Sequence, residues 1–181
     1  MPRRTGVDTA HGVLLVEWPL FGELSRALAL KVAREYRPEM VVGVATAGVV
    51  PGAVIAAMLG AEFHSIVVSR TYHADRVRET PAVFGEAPVQ VRGHRVLVVD
   101  ETCDTGDTMR LAVAALHHAG AVEIRTAVAF MTGDYTPDFH ALATASTVVL
   151  PWDREIITGN TLAPNPKYAA VLRDLAAPPP V

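Results

Sequence analysis

Short apolar runs with no polar face alternate along this chain with longer segments whose apolar residues recur every three or four positions. The runs "MVVGVAT" (40–46), "EFHSIVVS" (62–69), "RVLVV" (95–99), "IRTAVAF" (124–130) and "STVVL" (146–150) are rich in β-branched residues and predict strands. In "PLFGELSRALALKVAREY" (19–36), Leu20, Leu24, Leu28 and Val32 fall every four residues, which puts them on one helix face. "PGAVIAAMLG" (51–60) opens on Pro51, suited to a first helical turn, and closes on Gly60, suited to a C-terminal stop. "DTMRLAVAALHHAG" (107–120) is amphipathic and ends on Gly120. Strands alternating with helices predict an α/β fold, a Rossmann-like parallel β-sheet flanked by helices.

Between the second and third of these runs, residues 71–93 are charged and hold two prolines and two glycines. They read as a long loop or a small hairpin, a mobile loop or lid, because connections of this length are usually functional. The segment 166–181 reads as a short helix followed by a proline-rich end that frays.

Composition narrows the class. A chain of 181 residues, half of them hydrophobic, is long enough for one well-buried core, so one domain over 1–181 is expected, with a core at about 13–160 and a tail from 155. A net charge of -3 argues against a nucleic-acid partner, which usually calls for a basic face. No apolar stretch approaches the ~18 residues of a membrane span. The single Cys103 forms no internal disulfide and reads as a small packing residue in a cytoplasmic protein. His117 and His118 sit on a helix without acidic neighbours at metal-ligand spacing and read as surface residues.

The chemistry concentrates in "RVLVVDETCDTGDTM" (95–109). In open parallel sheets ligands collect beyond the carboxyl ends of strands, and Asp100 and Glu101 stand at such an end. Adjacent carboxylates there need solvent or a cationic or hydroxyl-bearing partner, such as a sugar, a magnesium ion or both. Directly after them Thr105, Gly106 and Thr108 lead into a helix N-terminus, where hydroxyls and unpaired N–H groups cradle a phosphate. Together the two halves ask for a ribose 5-phosphate. Asp107 is awkward in a turn meant for a dianion, so its carboxylate must point outward or cap the helix.

"VLVVDETCDTGDT" resembles the signature of the type I phosphoribosyltransferases, the segment that holds 5-phosphoribosyl 1-diphosphate (PRPP). The resemblance implies that Asp100 and Glu101 grip the ribose hydroxyls, with Mg2+ as cofactor, and that Thr105, Gly106, Asp107 and Thr108 wrap the 5-phosphate. It places Asp104 where the hypoxanthine and xanthine-guanine enzymes carry the aspartate beside the base, the position of a general base. "VVGVATAGVVPG" resembles the family's pyrophosphate loop, with Thr46, Ala47 and Gly48 in the turn. That turn lacks the cation of many purine enzymes, which leaves Arg70 of "SRTYH" as the expected donor at the start of the mobile loop. "TVVLPWDREIITG" resembles the base-side segment, with Val148 and Trp152 as base contacts, Phe130 as a further stacking candidate, and Asp153 as a second magnesium ligand. Phe130 and Met131 stand where purine enzymes usually carry the lysine that reads the 6-oxo group.

The activity this implies is transfer of the phosphoribosyl group from PRPP to a nucleobase, a purine by Asp104, in a homodimer or higher homo-oligomer. Two alternatives are an orotate-like or other non-purine transferase, favoured by "TAG", and a non-catalytic PRPP-binding regulator.

Overall fold

Val41, Val42, Leu97, Val98 and Val99 are all fully buried, so the strands that carry them need cover on both faces. The computed structural model supplies it. It describes residues 11–72, 76–169 and 171–172, the side chains of 70–72 and 76–79 excepted. In chain order the elements are β1 (Val13–Leu15), α1 (Trp18–Glu35), β2 (Met40–Ala45), α2 (Val49–Leu59), β3 (Glu62–Tyr72), β4 (Arg76–Phe84), β5 (Arg95–Cys103), α3 (Asp107–His118), β6 (Glu123–Met131), β7 (Phe139–Ala143), β8 (Thr147–Val149), β9 (Glu155–Thr158) and β10 (Thr161–Pro164). Single 3-10 turns lie at Val89–Val91 and Pro166–Tyr168.

Two compact units divide the chain, Gly22–Thr144 and, from both ends, Met1–Phe21 with Ala145–Val181. The larger unit holds a six-stranded sheet in the order β4-β3-β2-β5-β6-β7, parallel throughout except for β4. Alternation along each strand sends residues to opposite faces. Met40, Val42 and Val44 of β2 and Val96 and Val98 of β5 pack with Met109, Ala112 and Leu116 of α3. Val41, Leu97 and Val99 pack with Leu28, Ala29 and Val32 of α1 and Ile55 and Ala56 of α2. The sheet is therefore covered by α3 on one side and by α1 and α2 on the other, the α/β architecture that the sequence predicts.

The buried stripe of α1 keeps Leu28 and Val32 of the expected one and departs from it toward the N-terminus. Phe21, Ser25, Leu28, Ala29 and Val32 are buried while Leu20 is exposed, because a stripe at spacings of three and four follows the 3.6-residue turn better than strict fours.

The segment expected as loop or hairpin, 71–93, is in part a hairpin: β4 pairs antiparallel with β3, with a register shift between Ser69 and Thr71. Residues 73–75 lie outside the described residues.

In the smaller unit β1 pairs parallel with β8, and β9 pairs antiparallel with β10 across Gly159–Asn160. The tail expected from residue 155 thus begins as a hairpin, and the helix expected from residue 166 begins as the 3-10 turn Pro166–Tyr168; the proline-rich end lies outside the described residues. No helix among the described residues is long and apolar enough to cross a membrane.

Candidate functional site

Strand order fixes where a crevice opens. β2 leads through α2 to β3 on one side, and β5 leads through α3 to β6 on the other, so the neighbours β2 and β5 form the switch point of the sheet. Their pairing runs from Met40↔Val96 to Gly43↔Val99. Beyond it β2 continues against β3 (Ala45↔Val67) and β5 against β6 (Cys103↔Met131). Asp100 is the first residue of β5 past that parting, and Thr46, Ala47 and Gly48 follow β2 directly.

Gly48 closes the gap between the two strands. A β-carbon there would lie 2.7 Å from Asp100 Oδ1 and 2.8 Å from the Val99 carbonyl oxygen, so only glycine lets the turn settle on the carboxylate. The turn feeds straight into α2, with Gly52 N–H donating to the Gly48 carbonyl at 3.0 Å. The Val49 and Val50 N–H groups are already engaged, by the Thr46 and Ala47 carbonyls at 3.3 and 3.2 Å, and Pro51 has none, so what the helix start offers an anion is the positive end of its dipole.

Asp100 is only 8% exposed, and its Oδ1 accepts a hydrogen bond from the Glu101 N–H at 3.0 Å. Burial pushes its carboxyl well above the usual carboxylate range, and the neighbouring Glu101 carboxyl adds to the shift. Glu101 is half-buried. Burial likewise raises the Cys103 thiol to about 11, with Asp100 adding to it, so Cys103 is a core residue and not a nucleophile.

Past β5 the chain turns through Asp104 and Thr105, both exposed, into Gly106, whose φ of 80° is the left-handed region that glycine tolerates. Thr105 Oγ1 accepts from the Asp107 N–H at 3.5 Å. Asp107 resolves its own difficulty by pairing with Arg110, Oδ1 to Nη1 at 3.3 Å, and the same guanidinium donates to the Thr105 carbonyl at 2.8 Å. A negative side chain in the first turn also suits the helix dipole.

A segment that the sequence reading passed over, Thr132–Asp138 between β6 and β7, holds this turn from the side. The Thr132 N–H donates to the Cys103 carbonyl at 2.8 Å, and the Tyr135 N–H to the Asp104 carbonyl at 3.1 Å. Gly133 lies so close to Asp104 that a β-carbon would collide with both its side chain and its backbone, and the Tyr135 ring leaves no room for one on Gly106. Arg110 stands over that ring, 5.0 Å from its centre. "TGDYTPD" carries a turn signal and nothing more in sequence, because its partners are distant in the chain.

The remaining candidates divide. Arg70 has its backbone in β3, and its side chain lies outside the described residues. Phe130 is 0% exposed, a core residue of β6 with no face left for a base; the sequence expectation is corrected here because an apolar ring in a central strand is buried on both sides.

In the smaller unit, Val148 is buried in β8 opposite Leu14. Trp152 packs against Trp18 and Phe21, with ring centres 5.8 and 4.9 Å away, and its buried indole N–H has no hydrogen-bond partner among the described residues. Asp153, expected as a metal ligand, has both carboxylate oxygens engaged: Oδ1 accepts from Asn165 Nδ2 at 3.0 Å, and Oδ2 from the Tyr168 hydroxyl at 2.8 Å and from Lys167 Nζ at 3.5 Å. It anchors the 165–168 turn instead of standing open.

Among the described residues no group of three or more His, Cys, Asp or Glu side chains converges on a metal position. Asp100 with Glu101 fits magnesium all the same, since that ion takes one or two carboxylates and fills the rest of its shell with water and substrate oxygens.

Comparison with known proteins agrees with this geometry. A xanthine-guanine phosphoribosyltransferase of Idiomarina loihiensis is 25% identical over 78% of this chain and 87% of its own length. A protein of Archaeoglobus fulgidus named transcriptional regulator GfcR is 28% identical over 60% of this chain, and the match spans 60% of that regulator's length. The crystal structure of a purine phosphoribosyltransferase from Pyrococcus horikoshii is similar with a TM-score of 0.66 and 27% identity, covering 81% of this chain and 97% of that one. Residues 14–157 match the phosphoribosyl transferase domain, and the chain belongs to that family.

Proposed function

We propose that this protein transfers the 5-phosphoribosyl group from PRPP to a purine of the 6-oxo class and releases pyrophosphate. The observation that carries the reading is the meeting of the turn after β2 with the acid of β5 at the parting of the two strands, with Gly48 seated on Asp100.

Each end of PRPP then has a place. The 5-phosphate sits in the turn Thr105-Gly106-Asp107-Thr108 at the start of α3, held by N–H groups and the two threonine hydroxyls. Pyrophosphate lies at Thr46-Ala47-Gly48 before α2. Between them Glu101 and Asp100 face the ribose hydroxyls and hold magnesium, which when bound offsets charge on the leaving pyrophosphate.

The reaction breaks the bond from C1 to the pyrophosphate oxygen and forms one from C1 to a ring nitrogen, and that nitrogen sheds a proton. Asp104, exposed beside the phosphate turn, accepts it. Residues 71–93, with Arg70 at their start, act as the lid that excludes water from the oxocarbenium-like transition state. The protein works in the cytoplasm as a homodimer or higher homo-oligomer.

A base panel tests the proposal: hypoxanthine, guanine, xanthine, adenine and orotate, each with PRPP and magnesium, followed by pyrophosphate release. Release with a 6-oxopurine is the expected result. Release with orotate alone overturns the purine assignment. PRPP binding with no release from any base favours a PRPP-responsive regulator, a reading to which the similarity to a named transcriptional regulator lends support.

A further inference from the structure

The segment between β6 and β7 touches the end of β5 and the turn after it at Cys103, Asp104 and Gly106, yet it carries none of the groups assigned to PRPP or to the base. Thr132 binds the Cys103 carbonyl through its N–H at 2.8 Å and through its hydroxyl at 3.2 Å. Gly133 is pressed on Asp104, the Tyr135 N–H holds the Asp104 carbonyl, and the Tyr135 ring covers Gly106.

The far end of the segment is fixed as firmly. Asp138 Oδ2 accepts from both the N–H of Thr126, at 2.8 Å, and its hydroxyl, at 2.7 Å, and the Asp138 N–H donates back to that hydroxyl at 3.0 Å. Thr126 lies on β6 itself, so the segment is pinned to the sheet at Thr126 and to the turn at Cys103 and Asp104. Arg110 completes the enclosure from α3, standing over the Tyr135 ring while its Nη1 donates to the Thr105 carbonyl.

We infer that Tyr135 is a positioning residue for the 5-phosphate turn: with Arg110 over it, its ring clamps Gly106 in the left-handed conformation that aims the turn's N–H groups at the phosphate. The inference rests on the proposed PRPP reading and adds residues outside the family signature to the site.

Gly106 has the freedom to leave that conformation, since glycine populates both signs of φ readily. A flat ring on one side and a guanidinium tie on the preceding carbonyl, that of Thr105, remove that freedom. The ring does this work and the hydroxyl does not, because the atoms nearest Gly106 are Cβ, Cγ and Cδ2 of the tyrosine.

The test compares Tyr135→Ala and Tyr135→Phe with the unaltered protein, measuring KM for PRPP, kcat at saturating PRPP, and PRPP affinity by calorimetry. Tyr135→Ala is expected to raise KM and Kd for PRPP roughly tenfold with kcat changed far less, and Tyr135→Phe to restore both within about twofold. Unchanged PRPP affinity in Tyr135→Ala, or a Phe variant as impaired as the Ala variant, overturns the inference. If Tyr135→Ala loses its folded circular-dichroism spectrum, Arg110→Met decides instead: a raised Kd for PRPP supports the clamp and an unaltered one refutes it. PRPP binding without transfer in the unaltered protein refutes the proposed activity alone, and the Kd comparison still judges the clamp. Absence of PRPP binding in the unaltered protein overturns both.

Discussion

Gly48 rests on the carboxylate of Asp100 with no space for even a methyl group between them, so the turn after β2 and the acid of β5 form one packed unit. A β-carbon on Gly48 would also come within 2.6 Å of the Val44 carbonyl oxygen, and a backbone carbonyl gives way less readily than a side chain. Gly48→Ala should therefore cost about 1–3 kcal/mol of stability by overpacking and displace the turn from Asp100. Denaturant unfolding and PRPP calorimetry check it; wild-type stability together with wild-type affinity would show that the contact is unimportant.

Asp104 stands exposed at the turn and touches the segment after β6 through its carbonyl, which accepts from the Tyr135 N–H, and through its side chain, whose Oδ1 lies against Gly133. Asp104→Asn keeps the shape of the side chain and removes its basicity, so kcat should fall roughly 100-fold while PRPP affinity holds. Equal turnover in the variant would remove the proton-acceptor role and with it the case for a purine.

Burial raises the Asp100 carboxyl above its ordinary value of 3.8. A group that binds its proton more tightly folded than unfolded stabilises the fold while protonated, and that contribution is lost as pH rises through the raised value. The ligand-free protein should thus lose stability between the ordinary carboxylate range and the raised pKa of Asp100, and Asp100→Asn should flatten that slope. Denaturation midpoints taken across the acidic to neutral range measure it, and parallel slopes for the two proteins would contradict the assignment. Magnesium-dependent PRPP binding should weaken in the same variant, because the neutral amide is a poorer ligand for a hard cation.

Asp153 offers a contrasting case. Asp153→Ala would leave the buried Tyr168 hydroxyl without its acceptor, at a cost of about 1–3 kcal/mol. Because the carboxylate is occupied by Asn165 and Tyr168, the magnesium concentration for half-maximal activity should stay as it is. A large increase in that concentration would restore Asp153 as a metal ligand.

What could be read from sequence was local. The strand, acids, turn and helix of 95–109 are contiguous, so their order alone specifies a site, and the alternation of apolar runs with helical periods specifies the layers. Contacts between distant segments left no such mark. Tyr135 reads as one more residue of a polar turn until β6 places it beside Gly106. Phe130 looks available to a ligand in a list of aromatics, yet the partnership of β6 with β5 and β7 buries it. The β9–β10 hairpin did leave a signal, Gly159-Asn160 between "EIIT" and "TLAP", which two-residue turns favour, but its strands of four residues are too short for periodicity to register.

The parting of β2 from β5 also bears on inheritance. Strand spacing in a sheet is fixed by backbone hydrogen bonding at about 4.8 Å, whatever the side chains. A pocket opened by two strands leaving one another is therefore transmitted with the topology, and drift in most side chains leaves it intact. Residues that choose the acceptor enjoy no such protection, so one scaffold can keep its donor while exchanging the molecule that receives it.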